Sequence, residues 1–149
     1  MSKEKQPIKS IKQININEFH LVFDGSKTGH PAFIIWKDDE KNQYLAIKFG
    51  SSPNKNNKEF KYPLSDKIKQ NFVYKRLFLG KRSDFSKITL SELKIEETDV
   101  KEILNSMDFL NPVYSKSIKS KDKKYFKWII KKNPLYQGQL SDPKGPMLQ

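Results

Sequence analysis

Two short apolar runs, Ala32-Phe33-Ile34-Ile35-Trp36 and Tyr44-Leu45-Ala46-Ile47-Lys48-Phe49, stand on either side of a polar stretch at residues 37–43. Both are rich in β-branched and aromatic residues, and both are too short to hold an independent helix. The spacing predicts an antiparallel hairpin. Pro31 suits the start of its first strand, where a missing amide costs no ladder bond. The second run leads directly into Gly50-Ser51-Ser52-Pro53-Asn54-Lys55, a small-residue loop with paired hydroxyls and a nearby cation.

The rest of the chain fits around that hairpin. Phe19-His20-Leu21-Val22-Phe23 reads as a preceding strand, stopped by Asp24-Gly25, with a flexible loop through Lys27 and Thr28 to Gly29. Residues 51–59 form a polar loop, Phe60-Lys61-Tyr62-Pro63-Leu64 a short extended piece, and residues 71–79 one further strand ending at Gly80. Val100, Ile103, Leu104 and Met107 recur at i, i+3, i+4 and i+7, which predicts a helix over 98–107 with Thr98 as its N-cap. That stripe belongs against the sheet. The aromatic part of residues 116–132 reads as a last strand or a short helix, and the Pro- and Gly-containing tail from Asn133 as extended.

Hairpin-rich order with one clear helix defines a mainly β, α+β domain: a small, partly closed antiparallel barrel or a curled sheet with packed helices. The length of 149 residues suits one such domain at residues 18–114, preceded by a polar arm at 1–17 and followed by a basic, aromatic extension at 115–149.

Composition removes several kinds of chemistry. The chain has no cysteine, and His20 and His30 are its only histidines, which excludes disulfides and argues against a zinc site or any resident metal. No motif asks for a cofactor. No apolar run approaches membrane-spanning length and the first 17 residues lack a secretory core, so a soluble cytoplasmic protein is expected.

The net charge of +12 is unevenly spread: residues 1–17 carry +3, residues 18–114 only +2, and residues 115–149 carry +7. Abundant Lys, Asn and Ile with only two arginines account for part of the excess as coding bias. They do not account for a near-neutral middle beside a strongly basic end. An anionic partner is expected, nucleic acid first among them.

Four groups of residues can carry chemistry. The Gly50–Lys55 loop lets backbone amides and the Ser51 and Ser52 hydroxyls approach a phosphate, with Lys48, Lys55 and Lys58 near enough to neutralise it. The same loop would serve as an ordinary turn. His30, in a loop leading to a strand, is placed to act as a general acid or base near neutral pH, or simply to pack. The two rare arginines are Arg76, inside the strand at 71–79, and Arg82, which follows Lys81 just after it. They suit bidentate phosphate binding or plain salt bridges. Lys124, Tyr125, Lys127 and Trp128 interleave cations with rings, as single-stranded nucleic acid binding requires, or as a solvated face over a core would also show.

In the order of these elements the chain resembles the PemK/MazF-like toxin superfamily, including the endoribonucleases of type III toxin–antitoxin systems. The similarity covers roughly residues 18–85. It rests on Gly29-His30-Pro31-Ala32-Phe33-Ile34-Ile35 and on Tyr44-Leu45-Ala46 through Ser51-Ser52-Pro53-Asn54-Lys55. The resemblance implies an SH3-like barrel and metal-independent RNA cleavage by attack of the 2′-hydroxyl on the adjacent phosphate, with an RNA or protein antitoxin as partner. It gives Ser51 or Ser52 the scissile phosphate and Lys55 charge stabilisation or proton transfer. His30 takes the place of a basic side chain. Two departures stand out: Asn54 separates Pro53 from Lys55, and the usual arginine before the first proline is absent, with Arg76 as a substitute from a neighbouring strand. Other readings are a non-catalytic nucleic-acid-binding accessory protein of a mobile element, or a protein that docks an acidic partner through its basic end.

Overall fold

The computed structural model describes residues 14–24, 29–60, 64–65 and 72–133. The arm before residue 14, the loop holding Lys27 and Thr28, residues 61–63 and 66–71, and the tail from residue 134 lie outside those described.

The predicted hairpin is the centre of the molecule. Strand β2 (His30–Asp38) pairs antiparallel with β3 (Gln43–Gly50) across a tight turn in which Asn42 takes a positive φ of 55°. Strand β1 (Phe19–Val22) pairs with the other edge of β2. The outer side of β1 is covered by residues 84–90, whose backbone exchanges hydrogen bonds with Phe19, Leu21 and Phe23. The far edge of β3 carries β5 (Phe72–Tyr74) and β6 (Phe78–Gly80); β5 then pairs with β4 (Asn57–Glu59), and β6 with the two-residue β7 (Val113–Tyr114), which alone runs parallel. The fold is mainly β with α+β character, as expected. Of the two shapes the sequence allowed, it is the open curled sheet, not a closed barrel.

Alternation along the hairpin divides the interior in two. Phe33, Ile35, Leu45, Ile47 and Phe49 point into a large core, while Ala32, Ile34, Tyr44 and Ala46 point into a smaller one with Ile14, Val22, Phe78 and Phe85. The register shifts between Ile34 and Trp36, so one extra residue is accommodated in β2. Ile35 and Trp36 consequently both reach the large core.

Helices α1 (Glu97–Leu104) and α2 (Ser120–Lys132) close over that core. The helix of residues 98–107 is thus shifted: Glu96, not Thr98, is the N-cap, and the helix ends at Leu104. Val100, Ile103, Leu104 and Met107 are all buried as the stripe predicts, Met107 from the turn beyond the helix. The aromatic part of residues 116–132 lies on helix α2 rather than a strand, and Phe126 and Ile130, four apart, bury together against the core. Asp122 accepts the Lys119 amide at 2.9 Å and fixes the start of α2.

Two expectations at the sheet's edge are corrected. Residues 71–79 do not form one strand. Opposite Ile47 and Lys48 of β3, four residues, Tyr74 to Leu77, occupy the partner edge, leaving β5 and β6 as separate pieces. Leu77 is buried there and Arg76 turns outward. Asn57–Glu59, the end of the stretch expected to be a polar loop, pairs with β5 as β4, and Phe60 after it enters the core as a single buried ring.

Candidate active site

Strand parity decides which side chains meet at the polar end of the smaller core. His30 is opposite Val22, and Lys48 is opposite Ala32 two residues on, so all four share that face. Val73 pairs with Phe49 and faces the large core, which sends Tyr74 to the same side as Lys48. Asp24 follows β1 two residues beyond Val22. Four polar groups are gathered in this way where the apolar residues of the small core run out.

The geometry is that of an acid–base cluster. His30 Nδ1 lies 3.6 Å from Asp24 Oδ1, and Nε2 lies 3.4 Å from the Tyr74 hydroxyl. His30 Nδ1 is buried without a hydrogen bond, the Asp24 carboxylate standing just beyond bonding distance, while Nε2 meets the Tyr74 hydroxyl. The two rings meet edge to face at 5.5 Å. Lys48 donates to Asp24 and stands 4.1 Å over the Tyr74 ring. Lys48, Asp24 and His30 side chains are 11%, 18% and 26% exposed, half-withdrawn but reachable. Burial alone would raise the Asp24 carboxyl. The hydrogen bond and charge of Lys48, with the nearby His30, outweigh that and hold it below its usual range.

The small-residue loop meets this cluster at Tyr74. Gly50 leaves room for the Tyr74 ring: a Cβ there would sit 3.1 Å from Tyr74 Cε1. Asn57, buried at the start of β4, donates from Nδ2 to the Ser52 carbonyl at 3.0 Å and accepts the Asn54 amide on Oδ1 at 3.1 Å. Asn54 Oδ1 accepts the Asn56 amide at 2.8 Å, and its Nδ2 reaches the Tyr74 hydroxyl at 3.5 Å. Ser51, Ser52 and Lys55 are exposed on the rim.

Of the residues expected in the site, the structure brings His30 and Lys48 together, through Asp24 and Tyr74; Ser51, Ser52 and Lys55 are exposed in the adjoining loop, which meets the cluster through Gly50 and Asn54. The structure separates the others. Arg76 is bound to the chain itself, donating to the carbonyls of Asn111 at 3.1 Å and Pro112 at 2.9 Å. Lys81 pairs with Asp122 at 3.3 Å, and Arg82 Nη1 donates to the carbonyls of Phe85 and Ser86. Lys58 is exposed on β4 with Nζ 3.4 Å from Ser106 Oγ. Lys124, Tyr125, Lys127 and Trp128 lie on α2, whose Tyr125 hydroxyl donates to Asp38 at the opposite end of the hairpin. Lys27 lies outside the described residues.

Sequence reasoning missed Asp24, Tyr74 and Asn57 as site residues. The parity of Lys48 and Tyr74 would have paired them, had the β3–β5 register been known. A separate cleft of about 670 Å³ lies between Phe19, Phe33, Leu93, Val100 and the charged rim of Glu18 and Lys101. None of the cluster residues lines it. Among the described residues, no three His, Cys, Asp or Glu side chains come together as metal ligands, and no helix is long and apolar enough to cross a membrane.

No protein-family model, curated protein or solved structure matches this chain. What the site can do rests on its chemistry. An imidazole near a carboxylate and in contact with a phenol can accept one proton and pass on another. An ammonium and a small-residue loop beside it can receive an anion.

Proposed function

We propose that this chain is a toxin-type endoribonuclease that cleaves RNA without a metal ion, through attack of a 2′-hydroxyl on the adjacent phosphate. The observation that carries the reading is the His30–Tyr74 contact, with Asp24 near the imidazole and Gly50 and Asn54 against the phenol. His30 Nε2 takes the 2′-hydroxyl proton as its oxygen bonds to phosphorus. The bond from phosphorus to the 5′-oxygen breaks, and that oxygen takes the Tyr74 proton. The His30–Tyr74 contact then returns a proton from imidazolium to phenolate, which resets the pair. The products are a 2′,3′-cyclic phosphate and a 5′-hydroxyl. Lys48, drawn from Asp24 by the incoming phosphate, stabilises its non-bridging oxygens, with the Ser51 and Ser52 hydroxyls and Lys55 on the open side. An antitoxin of RNA or protein would act by covering this rim.

Purified full-length protein incubated with total RNA, with and without EDTA, tests the reading. Cleavage in both samples with cyclic-phosphate ends is expected. His30→Ala should lower the rate about 10²- to 10⁴-fold, the range of a general base, with an unchanged circular dichroism spectrum. The double variant Ser52→Ala with Lys55→Ala should also lose cleavage. Intact RNA throughout, or cleavage abolished by EDTA, would overturn the proposal. A second reading, nucleic-acid binding without cleavage, is favoured by Arg76, which is held by Asn111 and Pro112 instead of facing the loop. Salt-sensitive binding with no cyclic-phosphate product would select it.

A further inference from the structure

We infer that the outer face of α2 is a separate docking surface for single-stranded nucleic acid, with Trp128 as its stacking platform. At about 100° per residue, Lys121, Lys124, Tyr125, Trp128, Lys131 and Lys132 fall within an arc of about 120° on the side opposite Phe126 and Ile130. Trp128 is 54% exposed, although it is one of the largest apolar side chains in the protein. Tyr125 lies beside it, ring centroids 6.2 Å apart. Lys132 stands 5.2 Å over the indole, and Lys41 from the hairpin turn stands 5.1 Å over the Tyr125 ring. The Tyr125 hydroxyl donates to Asp38, which holds that ring in place and leaves the indole as the more accessible surface. The only acidic residue of α2, Asp122, is already occupied by Lys81 and the Lys119 amide.

The chemistry selects one kind of occupant. Four lysines around an exposed indole match a strand whose phosphates need cations and whose bases need a flat partner. A membrane would need a broad apolar face, and the apolar face of this helix is spent on the core. An acidic polypeptide would use the lysines but has no need of the ring. The platform lies at the turn end of the β2–β3 hairpin and the His30 cluster at the other, so the inference stands apart from cleavage.

Fluorescence anisotropy of a labelled ten-nucleotide oligodeoxyuridylate, which lacks the 2′-hydroxyl, tests it on the full-length protein. The single strand is expected to bind more tightly than a hairpin duplex of equal charge, and to weaken as salt rises. Trp128→Ala should weaken binding about tenfold, the scale of one lost stacking contact, and Trp128→Phe should recover most of it. Thermal melting of each variant reports folding, and a half-exposed side chain should leave it near wild type. Unchanged binding by Trp128→Ala would overturn the inference. So would duplex binding as tight as single-strand binding, or Trp128-dependent binding to anionic vesicles or to polyglutamate in place of the oligonucleotide.

Discussion

Asn57 is a buried amide whose two ends hold two points of the loop, the Ser52 carbonyl and the Asn54 amide. Replacing it with alanine removes both bonds and leaves two backbone groups to find water. Asn57→Ala should therefore cost about 2 kcal/mol in urea unfolding and also slow any RNA cleavage, since the loop would no longer be held against Tyr74. Gly50→Ala acts differently. Its new methyl would press on the Tyr74 ring from 3.1 Å, so the phenol must shift by a few tenths of an ångström. Slower RNA cleavage with a melting temperature close to wild type is the expected result, read by comparing initial rates with thermal unfolding. Neither residue was legible as special. Asn54, Asn56 and Asn57 stand together in a polar run, and nothing local distinguishes the one that is buried. Gly50 was legible as part of a phosphate-friendly loop, but its role toward Tyr74 depends on a pairing more than twenty residues away.

Among the elements, the broken edge strand best separates what sequence could and could not show. Its apolar content announced pairing, and both β5 and β6 do pair with β3. The two extra residues between them follow from a tertiary demand: Leu77 is drawn into the core while Arg76 reaches across to the carbonyls before β7. The arginine thereby fastens the 111–112 segment to the sheet. Arg76→Gln should cost about 1 kcal/mol of stability, because charge-assisted bonds near solvent are lost. It should leave RNA cleavage unchanged, which a phosphate-binding arginine would not. Urea unfolding and a cleavage assay on the same preparation check both halves. By contrast, α1 was legible within a few residues because its apolar stripe has a period only a helix satisfies. The aromatic part of residues 116–132 could be read as a last strand or a short helix, and the burial of Phe126 with Ile130 goes with the helix.

Over the whole molecule, four carboxyls act in the same direction. Burial opposes ionisation of Glu18, Asp24, Asp39 and Asp122, yet each is held below its usual range by nearby partners: Asn15 and His20, Lys48 and His30, Lys37 and Tyr44, and the Lys119 amide with Lys81, respectively. A carboxyl that ionises more readily folded than unfolded stabilises the fold above its unfolded pKa. That contribution is lost as pH falls through the lower folded value. Stability should thus hold down to about pH 5 and decline below about pH 4, where thermal melting measured across acid buffers would show it. A melting temperature that stays flat to pH 2 would contradict this linkage. The central hairpin has a different consequence. Because alternate residues enter separate cores and Ile35 is the extra residue that keeps both in step, the segment has almost no side free to vary. In a saturation library sorted for folded protein, positions 32–36 and 44–49 should return apolar residues of matching volume, Lys48 excepted. Glu40 and Lys41 in the exposed turn should accept nearly any residue. Evolution of new specificity on this scaffold is confined to the hairpin's two ends: the loop end that holds His30 and the turn end that faces α2.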